Sequence, residues 1–292
     1  MCGDHFVEVF ESRVEETIRR YKLLKGVERL VVCVSGGKDS VALLHVLSRV
    51  ASEKVEIIGL HIDLGIKGYS EKARMHALEN FKSAGVEYRI LSLSKEHGFT
   101  IDDVVRLRRK LGKPACSVCG TVKRYLMNKF AIDVGADAIA TGHNLDDLVL
   151  FAAHSIVTGR VQDLVKLTPR SKGVGKMVTR IRPLALASGK ETLSYTMLIG
   201  ASYQESPCPY TPPRKGMRFV LERKLAEIED ENPGFKRQLY AQLTHRIIPA
   251  LNTSFLEEEK LLECRVCGMP SSSEVCSFCR LKERLSKLLE KR

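Results

Sequence analysis

The chain has 292 residues, about twice the usual length of a single domain, which predicts one large unit with an appendage. Hydrophobic residues make up 44% of it and charged residues 28%, and its apolar runs fall far short of the roughly 18 residues that a bilayer span requires, which excludes a transmembrane protein. The 47 Lys and Arg residues outnumber the 35 Asp and Glu residues and give a net charge of +12, which indicates a polyanionic partner, with nucleic acid as the first candidate.

Strands and helices alternate through the first half of the chain. An amphipathic helix is predicted over residues 6–24, and a β-branched run at 29–34 then predicts a buried parallel strand. The alternation continues with helices at 39–49, 71–83 and 121–133 and with strands at 55–62, 86–93 and 136–140. This order predicts an α/β fold with a doubly wound parallel sheet, whose ligands bind beyond the carboxyl ends of the strands.

The second half is organised differently. Prolines punctuate a loop-rich region after about residue 160, helical patterns return at 218–230 and 235–251, and a short basic helix ends the chain at Lys291 and Arg292. These changes divide the chain into four predicted parts: an N-terminal helix at 1–25, an α/β domain at 26–215, a helical extension at 216–260, and a C-terminal module at 261–292.

The first ten residues carry acidic side chains and lack a basic stretch followed by an apolar one, so they do not resemble a secretion signal. We therefore expect a cytoplasmic protein. In that reducing compartment, the nine cysteines favour metal or catalytic roles over a disulfide framework.

Positive charge is concentrated in two runs. Residues 106–129 contain eight basic side chains and no acidic one, and residues 160–190 contain eight against the single Asp163. A solvated helix face usually mixes charges of both signs. Runs this one-sided indicate a surface that binds the phosphate backbone of a nucleic acid.

The most informative motif is the string Ser35, Gly36, Gly37, Lys38, Asp39 and Ser40, between a predicted strand and a predicted helix. Two glycines allow successive backbone N–H groups to turn inward, and the following helix directs its positive end at the same point, so a pyrophosphate fits there. The four-residue spacing of the nucleoside-triphosphate hydrolase P-loop is absent. The alternative is a plain strand-to-helix turn. The string resembles the PP-loop of the ATP pyrophosphatase superfamily, whose members adenylate a carbonyl oxygen.

Three cysteines outside the C-terminal module form a second candidate group. Cys116 and Cys119 form a C-x2-C pair just before a predicted helix and inside a basic run, which predicts unusually acidic thiols. The pair alone fits half a zinc site, a redox dithiol or part of an iron–sulfur cluster. Cys208 stands between two prolines, in a turn unsuited to core packing. Three thiolates would hold a four-iron cluster with one iron open to an exogenous sulfur ligand.

At this point the chain resembles, over essentially its whole length, the tRNA 2-thiolation enzymes, the group that includes TtcA and TtuA. The PP-loop, Cys116, Cys119, Cys208 and the string from Gly142 to Asp147 occur in the order and spacing of that family.

The resemblance implies that Cys116, Cys119 and Cys208 carry a [4Fe–4S] cluster. It also implies that ATP activates a uracil carbonyl, with the phosphates on the PP-loop, the adenine on the backbone near His61 and Ile62, and Gly142 nearby. Lys123 would neutralise phosphate charge, and Asp147 would bind Mg²⁺ or hold the lysine. The alternative for Asp146 and Asp147 is a pair of first-turn helix acids. The resemblance also implies that the domain at 26–215 is catalytic and that the helical extension at 216–260 binds tRNA. A homodimer is expected as well.

Two further cysteine motifs concern zinc. Cys264, Cys267, Cys276 and Cys279 form two C-x2-C pairs separated by eight residues, a strong tetrathiolate zinc signature that predicts a C-terminal zinc ribbon. This module narrows the resemblance to the TtuA and wobble-uridine thiolation branch. Members of that branch also have an N-terminal zinc site, of which Cys2 and His5 look like the second half. Either the start of the chain is truncated or that site is lost.

The predicted function is therefore an ATP-dependent tRNA sulfurtransferase. By resemblance to TtuA, its target is the 2-position of the T-loop ribothymidine, and its sulfur donor is a ubiquitin-like protein thiocarboxylate. The first alternative is 2-thiolation of the wobble uridine. The second is a non-catalytic zinc and iron–sulfur sensor that binds RNA.

Overall fold

The computed structural model of the protein describes residues 2–211, 213, 215–255 and 261–290. The end of the predicted helical extension, residues 256–260, and the last two basic residues, Lys291 and Arg292, lie outside this set. Within the described ranges, no helix is long and apolar enough to cross a membrane.

A six-stranded sheet with the order β3-β2-β1-β4-β6-β5 forms the centre of the fold. All of its neighbouring pairs are parallel except β5 with β6. The strands of this sheet are β1 (Arg29–Cys33), β2 (Glu56–Asp63), β3 (Glu87–Ser92), β4 (Ala138–Ala140), β5 (Arg170–Ser171) and β6 (Thr179–Ile181). The predicted doubly wound, mostly parallel α/β sheet is thus confirmed, with one antiparallel strand at its edge.

Helices cover the sheet and extend beyond it. The first seven helices are α1 (Gly3–Arg20), α2 (Lys38–Val50), α3 (Ser70–Ser83), α4 (Leu93–His97), α5 (Ile101–Arg106), α6 (Arg108–Leu111) and α7 (Ala115–Asp133). The later ones are α8 (Leu145–Val157), α9 (Gly189–Leu198), α10 (Met217–Glu231), α11 (Phe235–Gln242), α12 (Ile248–Phe255) and α13 (Ser277–Glu290), with a 3-10 turn at Val161–Leu167 and a π turn at Leu243–Ile247.

Strand β1 lies where the winding direction of the sheet reverses. From β1 the chain proceeds outward through β2 to β3, and it then returns to place β4 on the other side of β1. The three central residues of β1 are completely buried, as expected for a strand covered by helices on both faces. A ligand crevice forms at such a reversal beyond the carboxyl ends of the strands, which is where the PP-loop begins.

Helix α7 begins six residues before its predicted start. Gly120 and Pro114 favour a loop before residue 121, but Pro114 occupies the N-cap of the helix, where the absence of an N–H costs nothing. Val118 and Val122 then bury completely or nearly so, and this packing outweighs the helix cost of Gly120. Cys116 and Cys119 therefore lie in the first turns of α7 and not in a loop before it.

The C-terminal module, residues 261–290, contains the short hairpin of β7 (Leu262–Glu263) and β8 (Pro270–Ser271) followed by α13. Its buried side chains belong to a cluster shared with α5 and α7, to which the module contributes Cys264, Cys276, Phe278, Cys279 and Leu285. The module is therefore packed onto the α/β domain.

Candidate active site

The PP-loop closes tightly between β1 and α2. Gly36 has a φ of +88°, and a Cβ added there would lie 2.5 Å from the backbone oxygen of Ala73, so only glycine fits on both counts. The Ser40 hydroxyl accepts a hydrogen bond from the Ser35 N–H at 3.0 Å and donates one to the Gly37 carbonyl at 2.8 Å. The loop is thereby held at the amino end of α2, whose first N–H groups have no partner within the helix and are available to an anion.

Asp39 connects three helices next to this loop. Its Oδ1 accepts hydrogen bonds from Lys38 Nζ at 2.7 Å, from Asn144 Nδ2 at 3.0 Å and from the Thr192 hydroxyl. Lys38 also donates to the Gly189 carbonyl at 3.1 Å. The Lys38 charge is thus neutralised by Asp39, and a bound phosphate would compete with that carboxylate for the ammonium group.

A cavity of about 100 Å³ opens beside the PP-loop, beyond the carboxyl ends of β1 and β2. Its wall is mainly apolar, as adenine recognition requires, with Lys123 as its single charged side chain. The lining residues are Cys33, Val34, Ser35, Leu60, His61, Ile62, Leu64, Tyr69, Ser70, Ala73, Lys123 and Met127. Burial raises the pKa of the Cys33 thiol to about 12, so this cysteine stays protonated.

His61 supplies a buried acceptor to the cavity wall. Its side chain is 2% exposed, and burial lowers the pKa of the imidazole, so the ring is neutral. Nδ1 lies 2.8 Å from the Val34 carbonyl and must donate to it. Nε2 is therefore a bare acceptor, and it has no partner among the described residues. An amino or hydroxyl group of a ligand would satisfy it.

The two acids at the start of α8 have separate environments. Asp147 closes a capping box with Asn144, and burial, followed by the nearby Asp39 carboxylate, raises the pKa of Asp147 to about 6. Asp146 instead accepts from the Gly189 N–H at 2.7 Å and pairs with Lys236. The oxygens of the Asp146 carboxylate are therefore occupied by structural contacts. Asp147 is the acid that faces the PP-loop carboxylate, and the two acids together could hold a cation.

Gly142 and His143 complete the carboxyl end of β4. A Cβ on Gly142 would lie 3.0 Å from the backbone of Asp39 and Ser40, so this glycine allows β4 to approach the PP-loop closely. Burial, followed by the positive charges of Arg182 and Arg180, lowers the pKa of His143 to about 4. His143 is therefore neutral at physiological pH.

Cys116, Cys119 and Cys208, the three-cysteine group, meet where α7 approaches the loop after α9. The Cys116 sulfur lies 3.5 Å from the Tyr210 carbonyl, and Cys119 and Cys208 pack on the same cluster of buried residues. The expectation of unusually acidic thiols is wrong for Cys119, because burial raises the pKa of that thiol more than the neighbouring Lys123 lowers it. Cys208, expected in an exposed turn, is half-buried.

Cys264, Cys267, Cys276 and Cys279, the four-cysteine group, are arranged around one point. Their sulfur atoms all lie within 4.8 Å of one another, and Cys267 and Cys276 are 3.8 Å apart. Zn–S bonds of about 2.3 Å in a tetrahedron place sulfurs about 3.8 Å apart, so this group fits zinc. Burial raises the pKa of the Cys264 thiol, but backbone hydrogen bonds together outweigh it and lower that pKa to about 6. One of them is donated by the Cys276 N–H to the Cys264 sulfur at 3.2 Å. In the described ranges, no other group of three or more ligands has this single-ion spacing.

The N-terminal pair is less complete. The Cys2 sulfur and His5 Nδ1 lie 3.9 Å apart at the exposed start of α1, and among the described residues no third ligand joins them at metal-binding distance. A zinc ion at Cys2 and His5 would have to complete its coordination from elsewhere.

The roles of several residues of the site were not predicted from the sequence. Asn144 and Thr192 fix the Asp39 carboxylate, and Tyr69 lines the cavity while also packing beside Cys119 and Cys208. Thr192 lies 153 positions after Asp39. The nearest signal in the sequence was the Ser188 to Glu191 capping box that starts α9, which predicts a helix and not a site.

Comparison with known proteins agrees with this arrangement. The model of the PP-loop domain family matches residues 7–208. A tRNA-5-methyluridine(54) 2-sulfurtransferase from Pyrococcus horikoshii is 38% identical over 96% of this chain and 86% of its own length, and one from Thermus thermophilus is 35% identical over 100% and 88%. The solved structure of the U34-tRNA thiolase NcsA from Methanococcus maripaludis, with its [4Fe–4S] cluster, has a TM-score of 0.78 and 28% identity, covering 98% of this chain and 90% of NcsA.

A PP-loop at the reversal point of a parallel sheet, with an apolar cavity beside it, defines an ATP-binding protein of the PP-loop class. With relatives of this identity along its whole length, the chain belongs to the family of PP-loop tRNA 2-sulfurtransferases.

Proposed function

We propose that this protein is an ATP-dependent tRNA sulfurtransferase that adenylates O2 of a uridine and inserts sulfur at C2. One observation carries the proposal. Lys123, which lines the nucleotide cavity, follows Cys119 by four residues on α7, so both side chains lie on one face of the same helix. A single rigid element thus joins the nucleotide cavity to the three-cysteine group.

Different residues of the chain have different roles in the adenylation step. The PP-loop from Ser35 to Ser40 binds the phosphates through backbone N–H groups, and His61 Nε2 accepts a hydrogen bond from the nucleoside. The uracil O2 attacks the α-phosphorus and pyrophosphate leaves. Lys123 stabilises the negative charge that develops on the phosphoryl oxygens. Asp39 and Asp147 would hold the Mg²⁺ that shields the phosphates.

The second step replaces the activated oxygen. A sulfur nucleophile attacks C2 of the adenylated uridine, and AMP departs with the former O2. The three-cysteine group supports a [4Fe–4S] cluster, because Cys119 and Cys208 are half-buried against the same apolar cluster. The exposed Cys116 lies beside the Cys208 loop, with its sulfur 3.5 Å from the Tyr210 carbonyl. Bound there, the cluster would supply an open iron that holds the sulfur. Cys116 and Cys119 on α7 and Cys208 on its loop fix that position relative to Lys123.

The finer assignments follow the relatives. Three relatives at 33–38% identity are named for 5-methyluridine 54, whereas the structural neighbour named for U34 is 28% identical. We therefore propose the T-loop ribothymidine as target and the wobble uridine as the alternative. A ubiquitin-like thiocarboxylated carrier as sulfur donor, zinc at the four-cysteine group, a homodimer and a cytoplasmic location complete the proposal. A non-catalytic sensor would not need Lys38 and Asp39 at the PP-loop together with Lys123 in the wall of the cavity.

Mass spectrometry of nucleosides from position-mapped tRNA fragments tests this function. Deleting the gene should remove the 2-thio group from position 54, while any 2-thiouridine at position 34 persists. Loss at position 34 alone would instead establish the wobble alternative. Unchanged thiolation at both positions, despite RNA binding by the purified protein, would favour the sensor.

The charge runs make a separate prediction about tRNA affinity. In the 160–190 run, five of the eight basic side chains are already engaged within the protein. Arg170 and Arg182 donate to backbone carbonyls, and three exposed lysines form ion pairs with carboxylates: Lys166 with Asp163, Lys176 with Glu263 and Lys190 with Asp230. In the 106–129 run, the exposed Arg108 and Arg109 have no ion-pair partner in the part of the chain that the structure describes. The first run is therefore the better phosphate surface.

Affinity should fall linearly on a log–log plot against salt, by about 0.7–0.9 for each phosphate contacted. The double substitution R108A/R109A should reduce that slope by about one to two. Lys54→Ala is a matched control, because Lys54 is exposed but paired with Glu15 at 2.8 Å. Titrations of tRNA at several salt concentrations measure the slopes, and an equal slope for R108A/R109A and wild type would contradict this assignment.

A further inference from the structure

The C-terminal module covers the helix that carries the three-cysteine group. Helix α7 buries Val118, Val122 and Leu126, four residues apart on one face. These side chains belong to the same cluster as Phe278 and Leu285 of the module. Helix α5 packs on α7 as well, so without the module the part of this face that α5 does not cover would be open to water.

An aromatic stack connects the two elements directly. The Tyr125 ring of α7 lies on Phe278 with ring centroids 3.8 Å apart and an angle of 4° between the planes. Phe278 stands between Cys276 and Cys279 in the sequence and is 3% exposed. The His97 ring packs edge-on against Phe278 at 4.8 Å. The ring that contacts α7 is thus held in place by two neighbouring cysteines of the four-cysteine group.

Tyr125 also reaches that group itself. Burial, followed by the neighbouring Cys267 thiol, raises the pKa of the Tyr125 hydroxyl, which places that hydroxyl beside the four-cysteine group. A second attachment lies farther along the module, where the Arg284 guanidinium donates to the Lys110 carbonyl just before α7. Two separate points of the module therefore hold the amino half of α7 and the segment that leads into it.

We infer that the C-terminal module is a brace for α7, and that Tyr125 is a positioning residue through which the metal-bound module fixes Cys116, Cys119 and Lys123. The inference rests on the proposed function only in taking the metal to be zinc. Four close thiolates repel one another without a cation, so metal binding and local folding are coupled. Loss of the metal releases Phe278, and with it the Tyr125 stack and the buried face of α7.

Hydrogen exchange followed by mass spectrometry tests the brace. Removing zinc from the full-length protein with a chelator, or by Cys264→Ser, should raise exchange in residues 115–126 by about tenfold or more, while residues 56–63 in β2 stay protected. In zinc-loaded protein, Tyr125→Leu should raise exchange in 115–126 by about fivefold, the effect of one lost ring pair. Tyr125→Phe keeps the ring and loses only the hydroxyl beside Cys267, so a smaller increase of about twofold is expected.

Tyr88→Leu is the matched control, because Tyr88 stacks on Phe81 at 5.1 Å, away from the module. It should leave exchange in 115–126 unchanged. A second readout is the decay of the iron–sulfur absorbance, which should be several times faster in Tyr125→Leu than in Tyr88→Leu.

Zinc-free protein with wild-type protection in 115–126 would overturn the brace. In that case the module would serve another purpose, such as RNA contact. The exchange experiment uses neither ATP nor tRNA, so its result does not depend on the proposed reaction. If exchange responds to zinc in a protein that does not thiolate tRNA, the brace is supported and the proposed function is refuted.

Discussion

Replacing Lys123 with alanine should reduce AMP formation with the target tRNA by about 10²- to 10³-fold, equivalent to roughly 3–4 kcal/mol of transition-state stabilisation. Lys123 is the charged side chain of the nucleotide cavity, and in the described ranges no carboxylate is in ion-pair contact with it. Its charge is therefore available to the phosphoryl oxygens, where negative charge accumulates during transfer. The measurement is release of labelled AMP from ATP in the presence of tRNA.

The iron–sulfur spectrum of the Lys123→Ala protein should remain that of wild type, because the cysteines do not depend on this ammonium group for their position. Lys129→Ala is the matched control on the same helix, since Lys129 pairs with Asp133 at 2.9 Å and does not line the cavity. AMP release from Lys123→Ala at the rate of Lys129→Ala would show that Lys123 has no role in adenylation.

The parts of the fold that the sequence predicted share one property, namely that their pattern is local. The β-branched run before Ser35, the glycines and the following helix all occur within about twenty residues, and the structure has them as β1, the PP-loop and α2. Strand β6, Thr179 to Ile181, was missed because only its last residue is buried. Strand β4 is equally short, but all three of its residues are buried and apolar, so it shows as an apolar run. The start of α7 was missed because packing of Val118 and Val122 decided it, and packing partners are not visible locally.

The same holds for the site: features that depend on a local pattern were predicted, and features that depend on distant residues were not. Four cysteines at C-x2-C spacing predicted a compact ligand group, and their sulfurs converge. The environment of Asp39 could not be predicted, because its partners Asn144 and Thr192 come from helices more than 100 positions away. The acidity of Cys119 was misjudged for a similar reason. The basic run around it is visible in the sequence, whereas the burial that raises its pKa comes from packing against a cluster assembled from distant parts of the chain.

Cys116→Ala should have the opposite effect to Lys123→Ala: it should abolish the iron–sulfur absorbance and tRNA thiolation while the protein still binds ATP. A cluster left with two of its three thiolates loses an anchoring iron–sulfur bond. Cys116 itself is exposed and does not line the nucleotide cavity. Its one described contact, with the Tyr210 carbonyl, lies on the side of the Cys208 loop. Removing this side chain should therefore cost little stability.

Anaerobic reconstitution, nucleotide titration and thiolation assays on Cys116→Ala check this expectation. Cys2→Ala is the control, because Cys2 is an exposed cysteine at the start of α1 and outside the three-cysteine group. Cys2→Ala should keep cluster, ATP binding and activity. If Cys116→Ala loses ATP binding as completely as a Gly36→Ala protein does, the cysteines support the nucleotide pocket. In that case, adenylation by Lys123 and sulfur delivery by the three-cysteine group would not be separable. The cysteines would affect both steps by keeping α7 folded.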